Sequence, residues 1–207
     1  MELPSTYICF DIETSGLSFD NDSIIEIGYT FVRDGEPLKS NSTLIEMPEG
    51  QRLNWNITRI TGISNYDLDS FGIPMVKALD WFYQLIGKDY PLVGHNIFRF
   101  DHPFLLSIAR KYKHPLASVL GLNRLIDTAV LYKGYKMQTP IKENELFMLY
   151  ASRILDQPVK GLKYNLKVAC EDQHVQTNDV TAHRAAADVL ITYRLYEALR
   201  TNAWFPD

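Results

Sequence analysis

The chain has 207 residues, 46% of them hydrophobic and 22% charged, with a formal net charge of −4. That is long enough for one sizeable α/β domain with a real core, and the composition is ordinary for a globular protein. The acidic balance, with a pI near 5.7, argues against holding nucleic acid mainly by general electrostatic attraction. It does not exclude an enzyme that meets nucleic acid through bound divalent ions. No apolar run approaches bilayer-spanning length, so no membrane partner is expected. The first residues show no basic n-region or apolar h-region. Cys9 and Cys170 are then expected as buried free thiols of a cytoplasmic protein rather than a disulfide.

Residues Tyr7 to Thr14 read as a strand, broken at Ser15-Gly16. Alternation puts Tyr7, Cys9, Asp11 and Glu13 on one face and Ile8, Phe10 and Ile12 on the other. Two carboxylates thus stand side by side at the end of an apolar strand. Unpaired and desolvated, they would repel at a cost of several kcal/mol, on the order of what a cation could relieve. Oxygen-only ligands suit Mg²⁺ or Mn²⁺. A D-x-E pair alone is more often a solvated strand end, so the case depends on what the later chain supplies.

Ile24 to Arg33 alternates as a second strand, with Ile25, Ile27, Tyr29 and Phe31 on one face. Asp34-Gly35 signals a two-residue hairpin, and Pro37 to Met47 continues as a third strand, completing an antiparallel meander. Trp55 falls in a loop, and Ile57–Ile60 forms a short helical turn ended by Gly62. The spacing of Val76, Leu79, Phe82, Tyr83 and Ile86 predicts a helix from Pro74. Pro91–His95 is a short buried strand followed by a helix over Phe98–Tyr112. Leu125-Ile126 opens another strand, and Asp127 is a capping candidate for the next helix. A strand–helix–strand–helix succession implies parallel strands with right-handed crossovers. The fold expected is α/β, one mixed sheet with flanking helices, in a single domain covering 1–207.

The stretch 132–163 is an elongated helical and basic segment. Lys133, Lys136, Lys142, Arg153, Lys160 and Lys163 stand there against Glu143, Glu145 and Asp156. It reads either as a solvated face or as contact with a phosphate backbone. Helical spacing runs from Glu143 to Leu155, and Asn165 to Glu171 is another short helix. A last helix, capped by Thr181, runs from about Ala182 to Leu199, with Ala186, Leu190, Tyr193, Tyr196 and Leu199 as its core stripe.

Two further places put acids or histidines where the local pattern does not ask for them. Asp101, in His95-Asn-x-x-x-Phe-Asp, lies where a strand gives way to a helix, the end of an α/β sheet where ligands bind. His183 and Asp188 follow in His-x-x-x-x-Asp. Five residues turn a helix through roughly 140°, so both can serve one site only if His183 precedes the regular helix.

Taken together, Asp11-Ile-Glu13, Asp101 and His183-x-x-x-x-Asp188, in this order and separation, resemble the DEDDh, DnaQ-like 3′–5′ exonucleases of the ribonuclease H-like superfamily. Ile60-Thr-Gly-Ile63, Ile126-Asp-Thr128 and Asn165-Leu166 fit as lesser matches, so the resemblance covers nearly the whole chain. The spacing from His95 to Asp101 is one residue longer than in many members, and 132–163 exceeds what compact members need.

The resemblance implies two divalent ions held by Asp11, Glu13, Asp101 and Asp188, with His183 taking the proton from the attacking water. It also implies that the Thr14 backbone and Leu17 contact the terminal nucleotide, with Ile63 and Asn96 as further lining candidates. The expected function is removal of nucleotides from DNA 3′ ends as 5′-monophosphates, in proofreading or end processing. Proofreading would require a polymerase partner in trans. Three other readings are an RNA 3′-end trimming enzyme with the same site, a non-catalytic ribonuclease H-like binding domain, and a ribonuclease H-type endonuclease. Four carboxylates plus His183 argue against the second, and the His-x-x-x-x-Asp ending argues against the third.

Overall fold

A computed structural model describes residues 2–87, 89–179 and 184–201. Three strands, β1 (Tyr7–Thr14), β2 (Ile24–Arg33) and β3 (Glu36–Leu44), form the expected antiparallel meander. Asp34 and Gly35 both have positive φ (53° and 83°), the geometry a two-residue hairpin needs to match strand twist. Helix α1 (Trp55–Thr61) starts two residues before the predicted turn and ends at Gly62, whose φ of 69° is left-handed. Helix α2 (Asn65–Phe71) was not expected from periodicity. Its signal is a capping box, in which Ser64 and Asp67 each satisfy the other's backbone N–H. Helix α3 (Met75–Ile86) follows as predicted.

The parallel half then alternates: β4 (Leu92–Gly94), α4 (Asp101–Lys111), a short α5 (Leu116–Val119), β5 (Leu125–Asp127) and α6 (Thr128–Lys136). Helices α7 (Phe147–Leu155), α8 (Leu166–Asp172) and α9 (Ala185–Thr201) complete the order. The sheet runs β3-β2-β1-β4-β5, so β1 is central and is the strand at which antiparallel pairing gives way to parallel.

The predicted two faces of β1 hold. Tyr7 and Cys9 enter a core built with α6, α7, α8 and α9, whereas Ile8, Phe10 and Ile12 enter one built with α3 and α4. Both cysteines are free and buried in the first of these.

Three expectations need correction. Helix α4 starts at Asp101 rather than Phe98, because Asn96 takes a left-handed φ of 61° and the backbone turns before the helix. Helix α7 starts at Phe147 rather than Glu143, because Asn144, at φ 57°, interrupts the helical path. The buried residues of α9 are Ala185, Val189, Ile191, Thr192, Leu195, Tyr196 and Leu199, so Tyr196 and Leu199 are buried as expected, while Leu190 and Tyr193 are half-buried and Ala186 is exposed. Two adjacent stripes of this helix are apolar, and packing selects the one containing Val189. The predicted cap Thr181 and the start at Ala182 lie outside the described residues. Among the described residues no helix is long and apolar enough to cross a membrane.

Candidate active site

Asp11 and Glu13 come from the last half of β1, on the face that α9 covers. That helix is seated on the strand beside them: the Cys9 thiol meets the Val189 carbonyl (3.6 Å), and Tyr7 packs edge-on to Tyr196 with ring centroids 4.7 Å apart. Asp188 precedes Val189, so the same packing brings its carboxylate to the strand. Oxygens of Asp11, Glu13 and Asp188 lie within 4.8 Å of one another, and all three residues are half-buried.

Asp101 arrives differently. Helix α4 does not cover the Asp11 face: Phe104, Leu105, Ile108 and Ala109 pack on the opposite one. Only the first residue of α4 reaches the site, by way of the sheet edge. Strand β4 has three residues and pairs with β1 only through Ile8 and Cys9. Beyond that point the edge of β1 has lost its neighbour, and Asp101 Oδ1 accepts from the Ile12 N–H (3.1 Å) in its place. Asp101 is buried, and its charge is the strongest of the neighbouring acids acting on Asp11.

The electrostatics follow from this crowding. Burial, and then the charges of Asp101, Glu13, Asp188 and Glu26, push the Asp11 carboxyl well above the usual carboxylate range. Burial together with Asp188 and Glu26 raises Glu13 to about 8. Burial raises Asp101 to about 7, against the opposing pull of the Ile12 hydrogen bond. Protons or cations must relieve such a cluster. The donor set is all carboxylate oxygen, which fits hard divalent cations such as Mg²⁺ or Mn²⁺.

The loop that delivers Asp101 is tied from below. Asp127 is buried and accepts from the N–H groups of Asn96 (2.8 Å), Phe98 (3.3 Å) and Ala129 (2.9 Å). It caps α6, as its sequence position suggested, and also fixes the turn between β4 and α4, which the sequence did not reveal. His95 adds a second tie. The Tyr164 carbonyl can only accept, so Nε2 donates to it (3.1 Å) and Nδ1 faces the Thr128 hydroxyl (2.9 Å). Burial lowers the His95 pKa to about 4, so the ring is a neutral strut.

Of the predicted substrate contacts, Leu17 is 81% exposed, open to a ligand rather than part of the core. Thr14 is buried, its hydroxyl donating to the Gly16 carbonyl (2.6 Å). Asn96 is half-buried in the β4–α4 turn. Ile63 is fully buried against Ile25, Leu53 and Leu68, so its side chain belongs to the core rather than to an open pocket. His183 lies outside the described residues.

In the basic segment, half the cations are already engaged. Lys136 pairs with Asp172 (2.8 Å) and Arg153 with Glu145 (2.8 Å). Lys133 donates to the Gln157 carbonyl (2.7 Å) just past the end of α7. Lys142, Lys160 and Lys163 are exposed. Lys133 and Lys160 line an open cavity of about 770 Å³ with Arg99, Asp156 and Tyr164.

A mixed sheet ordered 3-2-1-4-5 brings acids from β1, α4 and α9 together at the end of its central strand, the arrangement expected of a ribonuclease H-like fold. Comparison with known proteins makes this specific. The exonuclease family that includes RNase T matches residues 8–196, and the chain belongs to this DnaQ-like family. It is 26% identical over 205 residues to the DNA polymerase III subunit epsilon of Aquifex aeolicus, covering 98% of this chain and 84% of that one. It is 27% identical over 198 residues to the PolC-type DNA polymerase III of Ureaplasma parvum, covering 96% of this chain but 12% of that protein. The chain thus spans about a tenth of the length of the PolC-type relatives it matches. The structure of E. coli exonuclease I in complex with a dA16 oligonucleotide superposes with a TM-score of 0.73 at 17% identity, over 96% of this chain and 41% of that one. At that identity the likeness establishes a shared fold.

Proposed function

We propose that the chain is a metal-dependent 3′–5′ exonuclease that acts on DNA and releases nucleoside 5′-monophosphates. The observation that carries this reading is the convergence of Asp11, Glu13 and Asp188 oxygens within 4.8 Å, with Asp101 anchored alongside on the Ile12 N–H. These four carboxylates would hold two divalent ions, Asp11 serving both, Glu13 and Asp188 completing the first site and Asp101 the second. Such ions, when bound, supply Lewis-acid stabilisation of charge developing on the phosphate and on the leaving oxygen.

The chain's own residues orient and protect the reaction. Asp101 and Asp127 fix the β4–α4 turn, so the ligand cage is preorganised rather than assembled on binding. Leu17, exposed in the turn after β1, would wedge against the last base, and the Thr14 backbone would hold the terminal 3′-hydroxyl. His183, five residues before Asp188, would accept the proton of the attacking water, a role for which imidazole is the side chain best suited near neutral pH. The relation to a polymerase III epsilon subunit supports a DNA substrate and proofreading alongside a polymerase in trans, in the cytoplasm.

The test is a time course on 5′-labelled single-stranded, 3′-recessed and mismatched DNA, with matched RNA oligonucleotides, in Mg²⁺, Mn²⁺ or EDTA. Stepwise shortening from the 3′ end of DNA, abolished by EDTA, is the expected result. Faster loss from RNA would assign the chain to RNA 3′-end trimming, and internal cleavage of a 3′-blocked strand would reject exonuclease action.

A further inference from the structure

One buried acid in this region has no place in the ligand set. Glu26 is fully buried in β2, directly opposite Glu13 in the β1–β2 ladder. Its two oxygens accept from the Arg184 guanidinium, Oε2 from Nε and Oε1 from Nη2, both at 3.2 Å. Oε2 also accepts from the Ala185 N–H (3.0 Å), the first residue of α9. Two residues along the same strand, Gly28 makes room for that turn. A Cβ there would come within 2.6 Å of the Ala185 carbonyl carbon. The Arg184 carbonyl in turn accepts from the Asp188 N–H (2.9 Å). Strand β2 therefore grips α9 about one helical turn before the Asp188 carboxylate.

We infer that Glu26 and Arg184 form a positioning clamp that sets where Asp188 meets Asp11 and Glu13, and hence how tightly the site holds a divalent ion. The inference rests on the proposed metal-dependent reading of the site. Neighbouring strands present Glu13 and Glu26 as a pair: the first faces the ligand cage and the second fixes the helix that completes it. Both are read from one rigid ladder, so the distance between Glu13 and Asp188 is set by β-sheet geometry rather than by the loop before α9. A two-pronged guanidinium–carboxylate contact suits this task because it fixes orientation as well as distance.

Charge and position make opposite predictions for Arg184. It is a cation acting on the Glu13 carboxylate. If it acted only through its charge, Arg184→Gln would strengthen cation binding. If it acts through position, the same change weakens it. The Arg184 side chain is 42% exposed, so its replacement opens no vacancy in the core.

The experiment measures Mn²⁺ binding by calorimetry, without DNA, for wild type, Arg184→Gln, Glu26→Gln and Arg200→Gln. Turnover of single-stranded DNA is measured alongside. Arg200 pairs with Glu197 at the far end of α9 and reports any general effect of losing an ion pair from that helix. Arg184→Gln should weaken Mn²⁺ binding about 10-fold and lower kcat at least as much, with KM changed little, as expected when a supporting contact of a metal site is lost. Glu26→Gln should do the same, and Arg200→Gln should match wild type. Mn²⁺ binding by Arg184→Gln as tight as wild type or tighter overturns the clamp. So does a rise in KM alone, which would make Arg184 a substrate contact. A wild-type protein that binds no Mn²⁺ would instead overturn the metal-site reading itself.

Discussion

Replacing Glu13 with Gln separates what the acidic cluster costs the fold from what it does for the reaction. Burial and the charges of Asp188 and Glu26 raise the Glu13 pKa from 4.5 to about 8. An acid that binds its proton more tightly in the folded chain than in the unfolded one favours folding while protonated. That contribution is fully present below pH 4.5 and is lost as pH rises through 8, where the ionised carboxylate opposes folding. At 1.36 kcal/mol per pH unit the limiting cost is on the order of 5 kcal/mol, reduced in practice by local relaxation and solvent. For a domain of about 200 residues, ~1 kcal/mol moves Tm by roughly 2–4 °C, so a difference on the order of 10 °C is in play. In EDTA at about pH 8.5 the Glu13→Gln protein should therefore melt above wild type, whereas near pH 5 the two should nearly coincide. Millimolar Mn²⁺ should reverse the order at the higher pH, because wild type alone keeps the full ligand set and binding stabilises only the folded state. The assay is thermal unfolding at constant ionic strength across that pH range, with EDTA or Mn²⁺. If wild type in EDTA loses no more stability with rising pH than Glu13→Gln does, the carboxylates around Glu13 do not crowd it.

Further outcomes follow from the same geometry. His183→Ala should keep Mn²⁺ and DNA binding while kcat falls by about 10²–10⁴, the usual worth of a general base; turnover near wild type would remove His183 from that role. Asp11→Ala should be inactive at every Mg²⁺ concentration, and rescue by excess metal would argue against a ligand shared by two ions. Asp127→Ala leaves three backbone N–H groups without their acceptor and should destabilise the fold by about 3 kcal/mol, read as a lower urea midpoint. Its activity should fall as well, since the turn it holds delivers Asp101.

Much of the fold was legible because its signals are local. The β1 alternation, the Asp34-Gly35 hairpin and the Asp127 cap each depend on a few adjacent residues and the backbone geometry they favour. The carboxylates Asp11, Glu13 and Asp188 were legible for a different reason, as polar groups interrupting apolar patterns. Glu26 interrupts one too, standing between Ile25 and Ile27, and a lone buried acid in a strand demands a partner. That signal is present in the sequence, but a lone acid with no second one beside it does not mark a ligand pair. What periodicity could not supply was direction. It could not choose between two apolar stripes on α9, tell that Ile63 points into the core, or say which face of the sheet α4 would cover.

The last of these differences explains why the site lies where it does. Had α4 packed over the Asp11 face, Asp101 and Asp188 would compete for the same space above β1. Instead the two helices take opposite faces, and Asp101 enters through the plane of the sheet. It can do so because β4 stops at Gly94 while β1 continues to Thr14. The unpaired edge leaves the Ile12 N–H in need of an acceptor, and a carboxylate that meets this need is held beside Asp11 by the same bond. The sheet changes from antiparallel to parallel pairing at this strand, the kind of switch point at which an open α/β sheet forms a crevice. An extension of β4 by even two paired residues would satisfy Ile12 from the backbone and displace Asp101. The length of one short strand thus decides whether four acids can converge.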